Sequence, residues 1–502
     1  MFCQRRGLVW LWMVCAARVA FACDQLPAGQ TLWVRLTAPV STYTAKAGDQ
    51  VHAVVTRDLV CENEVVLPMG SGVDGVVRSK RKVGLGIRHE TAALELEFER
   101  GDSGSGVPVE FTARVEEVEN ARELVRKGVI QGIRSSDTFQ GRINSRLIHL
   151  PTWNPYSDPV LIAYKAVFPI FPEPEIYYPV GTDIRLRTTS EISVPPIATS
   201  SEREPSAVVR ESSPVVKEES ERLERLVSGL PSRVSTSKNV DADLINVVFL
   251  GPEDAVRSAF RAAGWDDADP VSRHTAMKSL YALLNNSGYA RQPMMTFYLN
   301  GRPQDMSLQK SLNSYDRRDH LRIWKWVPAE SGEAVWVSSS TRDTGAALAL
   351  KHMSFVHHIA PAIDEERAMI IRDLGFAGCV RSVSSVPRPD VPTETHNAVG
   401  DPMHTDGSVA VVRLQPCTAT ELPLSSKASG SYRPSNHVFR FFRRQILTFR
   451  NDIVRANVIY GVYDVGRMTV TALRRPAVQR QGLLAERANA GPSTKPIAIE
   501  PR

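Results

Sequence analysis

DLINVVFLGPEDAVRSAFRAAGW, residues Asp243 to Trp265, decides the fold class of the second half of this chain. Its first part is a short apolar run ending in Gly251, which reads as a strand buried on both faces. The second part changes period. Pro252 sits at a first helical turn, two acids follow, Val256, Ala259, Phe260 and Ala263 fall on one face, and Gly264 ends it. A second helix is expected in SRHTAMKSLYALLNN (272–286). Four alternating segments come next: MMTFYLNG (294–301), HLRIWKWV (320–327), AVWVSSST (334–341) and SFVHHIA (354–360). IDEERAMIIRDLGFAG (363–378) reads as a helix and SVAVVRLQ (408–415) as a last strand. Helices flanking a meander predict an α+β domain with a mainly antiparallel sheet.

Working backwards, residues 24–190 read as all-β, a barrel or a sandwich. QTLWVRLTAPV, DQVHAVVTRDLV, GVDGVVRSK, ETAALELEFER and VPVEFTARVEEV alternate and are broken by Gly, Asp and Pro. Pro-x-Gly-x-x-aliphatic recurs at Pro27-Gly29-Leu32, Pro68-Gly70-Val73 and Pro179-Gly181-Ile184, a turn that launches a strand. The first and third copies lead into LWVRLT and IRLRTT, expected to open and close one β-unit. This part resembles β-barrel or sandwich modules of exported envelope proteins, including those of conjugation machinery. GDSGSG (101–106) resembles a serine-protease nucleophile loop, but between two alternating strands it reads as a hairpin turn. The stretch 150–177, rich in Pro, Tyr and Phe, is expected to pack across the β-unit or to offer a partner-binding loop.

Length and composition predict several globular domains: 502 residues, 42% hydrophobic and 23% charged. The net charge of +6 is interspersed, with no basic stripe bearing aromatics, so nucleic acid is not an expected partner. Arg5 and Arg6 precede the apolar run LVWLWMVCAA, and AFA ends at Ala22, the pattern of a secretory signal. The expected organisation is a signal peptide over 1–22, a β-rich envelope module over 23–190 and a disordered linker over 191–216. The α+β domain then spans 217–430, a basic amphipathic segment 431–480 and a disordered tail 481–502. Lipidation of Cys23 is the alternative to simple cleavage. Removing the signal leaves Cys23, Cys61, Cys379 and Cys417, expected as one disulfide in each half, Cys23–Cys61 and Cys379–Cys417.

Seven segments in order then carry a family resemblance: LINVVFLG, AFRAAGWDDADP, FYLNGRPQDMSLQK, RRDHLRIW, TRDTG, HHIAPAIDEER and NAVGDPMHTDGSVAVVRL. Together they resemble the C-terminal domain of LssY-type bacterial proteins, over roughly residues 220–415. Full-length LssY-type proteins also carry a phosphatidic-acid-phosphatase-like part. Its Lys-Arg-Pro and Pro-Ser-Gly-His motifs are missing from this sequence, so the resemblance implies no phosphatase activity.

The candidate site lies in strand alternation. His320, Arg322, Trp324 and Trp326 share one face of their segment, and His352, Ser354, Val356 and His358 one face of theirs, so His357 and His358 point apart. A polar face of His320, Arg322, His358 and Arg342, with Asp343 beside it, is expected to hold an anionic group by Arg hydrogen bonds. The stretch 340–367 is expected as a polar sheet edge leading into a capped helix, and the alternative to a ligand site is a solvated face with a structural Arg342–Asp343 pair. Arg302 and Asp305 in GRPQD are a turn or part of that ligand site. Asp364, Glu365 and Glu366 after Pro361 suit a helix N-terminus. His396, Asp401, His404 and Asp406 sit in ordinary turn grammar, and neither metal nor cofactor is expected. The function expected is an exported, periplasmic or outer-membrane-associated envelope protein serving binding or assembly. Its partners would be envelope proteins or an anionic envelope component, with peripheral membrane contact through 431–480. A hydrolase using the His/Arg/Asp face is the alternative.

Overall fold

The structure is a computed structural model. It describes residues 24–61, 64–86, 88–103, 107–134, 173–194, 214–284, 287–326, 333–349, 354–418, 438–439, 441–443 and 445–447. The signal segment, most of 150–177, most of 431–480 and the tail lie outside them, as do Cys23 and residues 195–213 of the expected linker. The chain divides into two units, and the larger draws on 1–84, 88–133 and 174–435. In the smaller unit, buried Arg443 pairs with Glu173.

Six strands close a barrel in the larger unit: β1 (Thr31–Leu36), β2 (Gln50–Val55), β3 (Gly72–Arg81), β4 (Ala93–Asp102), β5 (Pro108–Val118) and β6 (Asp183–Thr188). Neighbours run antiparallel in the ring β4-β3-β2-β1-β6-β5, and β5 returns to β4. Closure leaves no edge among these six to pair with another chain. β1 and β6, the strands launched by two Pro-x-Gly turns, are hydrogen-bonded partners, with Leu32 opposite Leu186 and Val34 opposite Ile184. Alternation places Leu32, Val34, Leu96, Phe98, Val115 and Leu186 in the buried interior. Each such side chain contributes about 1.5–3 kcal/mol on leaving water. Gly75 stands at a register shift between β3 and β4, where a Cβ would lie 2.5 Å from the Glu97 carbonyl oxygen. Gly101 and Asp102 of GDSGSG end β4, and Asp102 pairs with Pro108 of β5.

The second region is α+β. α1 (Pro214–Ser228), α2 (Glu253–Ala262), α3 (Arg273–Leu284) and α4 (Ile363–Phe376) accompany one large sheet. Its main strands are β7 (Val247–Leu250), β8 (Met306–Lys310), β9 (Arg318–Trp326), β10 (Val335–Ala349), β11 (Ser354–Ile359), β12 (Val380–Pro387) and β13 (Ser408–Leu414). The order is Asp266–Asp267, β8, β9, β10, β7, β13, β12, with β11 added to β10. Only β7 and β13 pair parallel within it. One face buries Phe249, Leu321, Ile323 and Trp336 against Phe260 of α2 and Ile370 and Leu374 of α4. The opposite face buries Val248, Trp324, Val337 and Val411 with Leu223 and Val227 of α1. Phe260 meets both Phe249 and Trp265 edge-on. The sheet-edge expectation for Arg342–Asp343 is corrected here: β10 is an interior strand between β9 and β7.

The barrel and this region meet in one unit through the outward-facing residues of β1, β5 and β6. Arg35 donates from Nε and Nη2 to the Asp183 carboxylate at 2.7 and 2.9 Å, and from Nη2 to Asp373 of α4 at 2.9 Å. Lys310 of β8 closes the set, 2.6 Å from Asp183 and 2.7 Å from Asp373. Beyond the end of β5, Asn120 adopts a left-handed φ of 55°, donates to Asp319 and donates to the Lys310 carbonyl. Glu117 accepts from Arg342 and Glu119 from Arg372, both at 2.9 Å. These groups alternate with core residues and would face water on an isolated barrel; the second region desolvates them.

Candidate functional site

β9 and β10 carry charged residues on both faces of the sheet. Their register pairs Arg318 with Asp343, His320 with Thr341 and Arg322 with Ser339 on one face. On the opposite face it pairs Asp319 with Arg342, beside Lys310. Arg342 is therefore not with His320 and Arg322; it turns to the seam with the barrel, where it meets Glu117.

His358 is the second correction. Asp343 pairs with Ile359 of β11, so alternation brings His357 onto the Asp343 face and His358 onto the other. A register shift between Asp343 and Gly345 separates this pairing from the rest of the ladder. His358 Nδ1 lies 2.7 Å from Asp401, which also accepts the Ile359 N–H. Arg302 and Asp305 lie at the far end of β9. They stand 3.7 Å apart, the Arg302 carbonyl accepts from Trp324 Nε1 and Asp305 accepts the Lys325 N–H. Neither joins the cluster. His396 and His404 fall in a hairpin of Glu394–His396 and Pro402–His404, while Asp406 holds Arg367. Among the described residues no group of three or more His, Cys, Asp and Glu converges on a metal position.

The cluster that remains is desolvated: Arg318, His320, Arg322 and Asp343 are all 5% exposed or less. A solvated face is thus corrected too. Arg318 donates to Asp343 at 2.7 Å, to Gln309 Oε1 at 2.7 Å and to the Gln292 carbonyl at 3.2 Å. Arg322 donates to the Met295 carbonyl, lies over the Phe297 ring at 4.1 Å and stands 3.6 Å from Asp243. His320 Nδ1 and His357 Nδ1 approach Asp343 at 3.6 and 3.5 Å. Burial pulls the His320 imidazole down to about 3 and that of His357 to about 4, with Asp343 opposing. Burial would raise Asp343, but His320, Arg318 and His357 outweigh it and hold it at about 2. Both imidazoles are therefore neutral at neutral pH and the carboxylate is ionised. Thr341 Oγ1 lies 3.2 Å from His320 Nε2, while His320 Nδ1, 3.6 Å from Asp343, has no hydrogen-bond partner among the described residues. Thr341 is itself 1% exposed.

The acids Asp364, Glu365 and Glu366 stand in the first turn of α4, and two of them have further partners. Asp364 accepts from Thr405 and from the Asp406 N–H. Glu365 is exposed. Glu366 is buried and hydrogen-bonded to Asp319, a contact between two carboxyl groups that needs a proton. Burial and then the Asp319 charge push Glu366 well above the usual carboxylate range. A cleft of about 570 Å³ opens beside this pair, walled by Trp33, Arg57, Glu116 and Arg185 of the barrel region and Arg317, Arg342, Ala368 and Arg372 of the α+β region. Sequence reasoning missed Arg35, Asp183, Lys310 and Asp373 entirely, and it missed Arg318 and His357. Arg318 stands two residues before His320, on the same face of that alternation.

The disulfide Cys379–Cys417 is formed. Cys61 is buried, and its expected partner Cys23 lies outside the described residues.

Residues 227–409 match the family described as LssY C-terminus. The match covers β7, the whole polar cluster and α4, and stops within β13; the barrel precedes it. No curated protein matches the chain. Among solved structures, ComB10 of the Com type IV secretion system of Helicobacter pylori is similar at 13% identity, over 34% of this chain and 89% of that chain. The TM-score of 0.20 is too low to transfer fold or function from it.

Proposed function

We propose that this is an exported cell-envelope protein serving binding or assembly, with its ligand held in the cleft between the barrel and the LssY C-terminus region. The observation that carries this reading is that the cleft takes its walls from both parts, across a seam fixed by buried ion pairs. Clefts between structural parts are where ligands most often sit. Export is supported by the Arg5-Arg6 and apolar start, and by a disulfide, a bond typical of oxidising compartments. Two measurements test it. N-terminal sequencing of the fractionated protein should begin at Cys23; intact Met1 in the cytosol would sink export. Solubilised envelope glycan and lipid fractions should raise the Tm of the parent and not of Ala368→Trp, which fills the cleft from an exposed helix position. Equal responses of the two proteins, or none, would overturn the cleft reading.

A hydrolase acting on an anionic envelope substrate is the second reading. It rests on the Thr341 hydroxyl 3.2 Å from the neutral His320 imidazole, with the Asp343 carboxylate 3.6 Å from Nδ1, an arrangement that approaches a nucleophile–base pair. Thr341→Val should then abolish hydrolysis of ester or phosphoester probes while leaving the fold intact. Activity that survives in the variant removes this reading.

A further inference from the structure

We propose that the seam cleft takes an acidic glycan, whose carboxylate or phosphate sits with Arg57 of the barrel and Arg317 of the LssY C-terminus region. This rests on the cleft reading above and names its ligand chemistry.

Six guanidinium groups and seven carboxyl groups line the cleft. Most of them neutralise one another. Arg185 holds Glu116 and Glu117 at 3.1 and 2.7 Å, Arg187 holds Glu116 at 2.6 Å, and Arg372 holds Glu119 at 2.9 Å. Arg342 spans Glu117 and Asp319. Asp343 is held by Arg318 from the other face, and Glu366 shares a proton with Asp319. Among the described residues, Arg57 and Arg317 are the cleft's guanidinium groups that pair with no carboxylate, against one unpaired acid, Glu365. The free charge is cationic, with one contributor from each wall. An anionic group is what those donors accept, since guanidinium offers paired N–H bonds to carboxylate or phosphate.

The rest of the lining selects the body of the ligand. Paired guanidinium and carboxylate groups present both donors and acceptors, and hydroxyl groups satisfy both. A lipid tail in the same space would strip water from those charges and return no hydrogen bonds. A volume near 570 Å³ lies within the range of small-ligand sites.

The experiment uses the full mature chain and measures binding by calorimetry at two salt concentrations. The probes are oligogalacturonate for carboxylate, a phosphorylated mannan oligosaccharide for phosphate, and maltohexaose and inorganic phosphate as references. One or both acidic oligosaccharides should bind the parent, less tightly at high salt. Binding should weaken at least about tenfold in Arg57→Gln/Arg317→Gln and be lost in Ala368→Trp. Maltohexaose binding the parent equally well, and lost in Ala368→Trp, would overturn the acidic-ligand proposal and leave the cleft reading standing. Acidic probes binding all three proteins alike would place the contact elsewhere and overturn the proposal. Inorganic phosphate alone binding would reject the glycan, and no probe binding would reject the proposal while the envelope-fraction assay still judges the cleft.

Discussion

Arg35, on the outer face of a barrel strand, donates to Asp373, in the last helix of the α+β region, at 2.9 Å and 338 positions further along the chain. Neither side chain is more than 2% exposed. With Asp183 and Lys310 they alternate in sign, and Trp265 Nε1 donates at 3.0 Å to the same Asp373 oxygen that Lys310 reaches. Burial alone would lower Arg35, yet Asp183 and Asp373 hold it above its ordinary value, and Arg35 and Lys310 likewise keep Asp183 below the ordinary carboxylate range against burial. The Arg35–Asp183 pair lies within the barrel, and the Arg35–Asp373 and Lys310–Asp183 contacts join it to the α+β region.

Removing one carboxylate from that set leaves two buried cations facing one anion. Asp373→Asn should destabilise the protein by about 3–5 kcal/mol, the cost of breaking a buried pair from one side. Urea unfolding measures it. A loss below about 1 kcal/mol would mean that water reaches the network.

The neutral histidines set an acid limit on stability. His320 and His357 titrate in the fold at about 3 and about 4, below the ordinary imidazole value. Their contribution is complete above pH of about 6.5 and is lost as pH falls towards those folded values, at up to about 1.4 kcal/mol per pH unit for each proton. His320→Gln should flatten that limb between roughly pH 6.5 and 4. An unchanged slope in pH-dependent denaturation would show that the imidazole is solvated.

Glu366 gives the opposite sign. Its folded value is raised by burial and by Asp319, so the folded state holds a proton that the unfolded chain releases. The stabilisation is complete below pH of about 4.5 and declines as pH rises through the raised value. Glu366→Gln keeps a donor to Asp319 and carries no charge, so the alkaline decline should shrink. A variant with the parent's profile would assign the decline to other groups.

The Cys379–Cys417 disulfide closes a separation of 38 residues around α4's exit and β12 and β13. Cys379 is buried in the core beneath α2 and α4. Cys379→Ser/Cys417→Ser should cost about 4 kcal/mol by chain entropy, read as a lower Tm under non-reducing conditions. A variant as stable as the parent would contradict this.

Local pattern sets the period of most elements and therefore both fold classes. The alternation in residues 30–118, the Pro-x-Gly turns at Pro27 and Pro179, and the strand-to-helix switch at Gly251-Pro252 are local signals, because side-chain period depends only on the backbone that carries it. It also determined that His357 and His358 point apart. Which of them meets Asp343 was decided by register, a relation between β10 and β11 that no residue of either strand states alone. The same holds for Arg342, placed opposite Asp319 rather than beside His320. The seam was the least legible part. Arg35, Asp183 and Lys310 have the pattern of solvent-facing residues on amphipathic strands, and a polar face looks the same in sequence whether water or another part of the chain covers it. That these charges are buried follows from the packing of the two parts, because desolvation is a property of what packs on top.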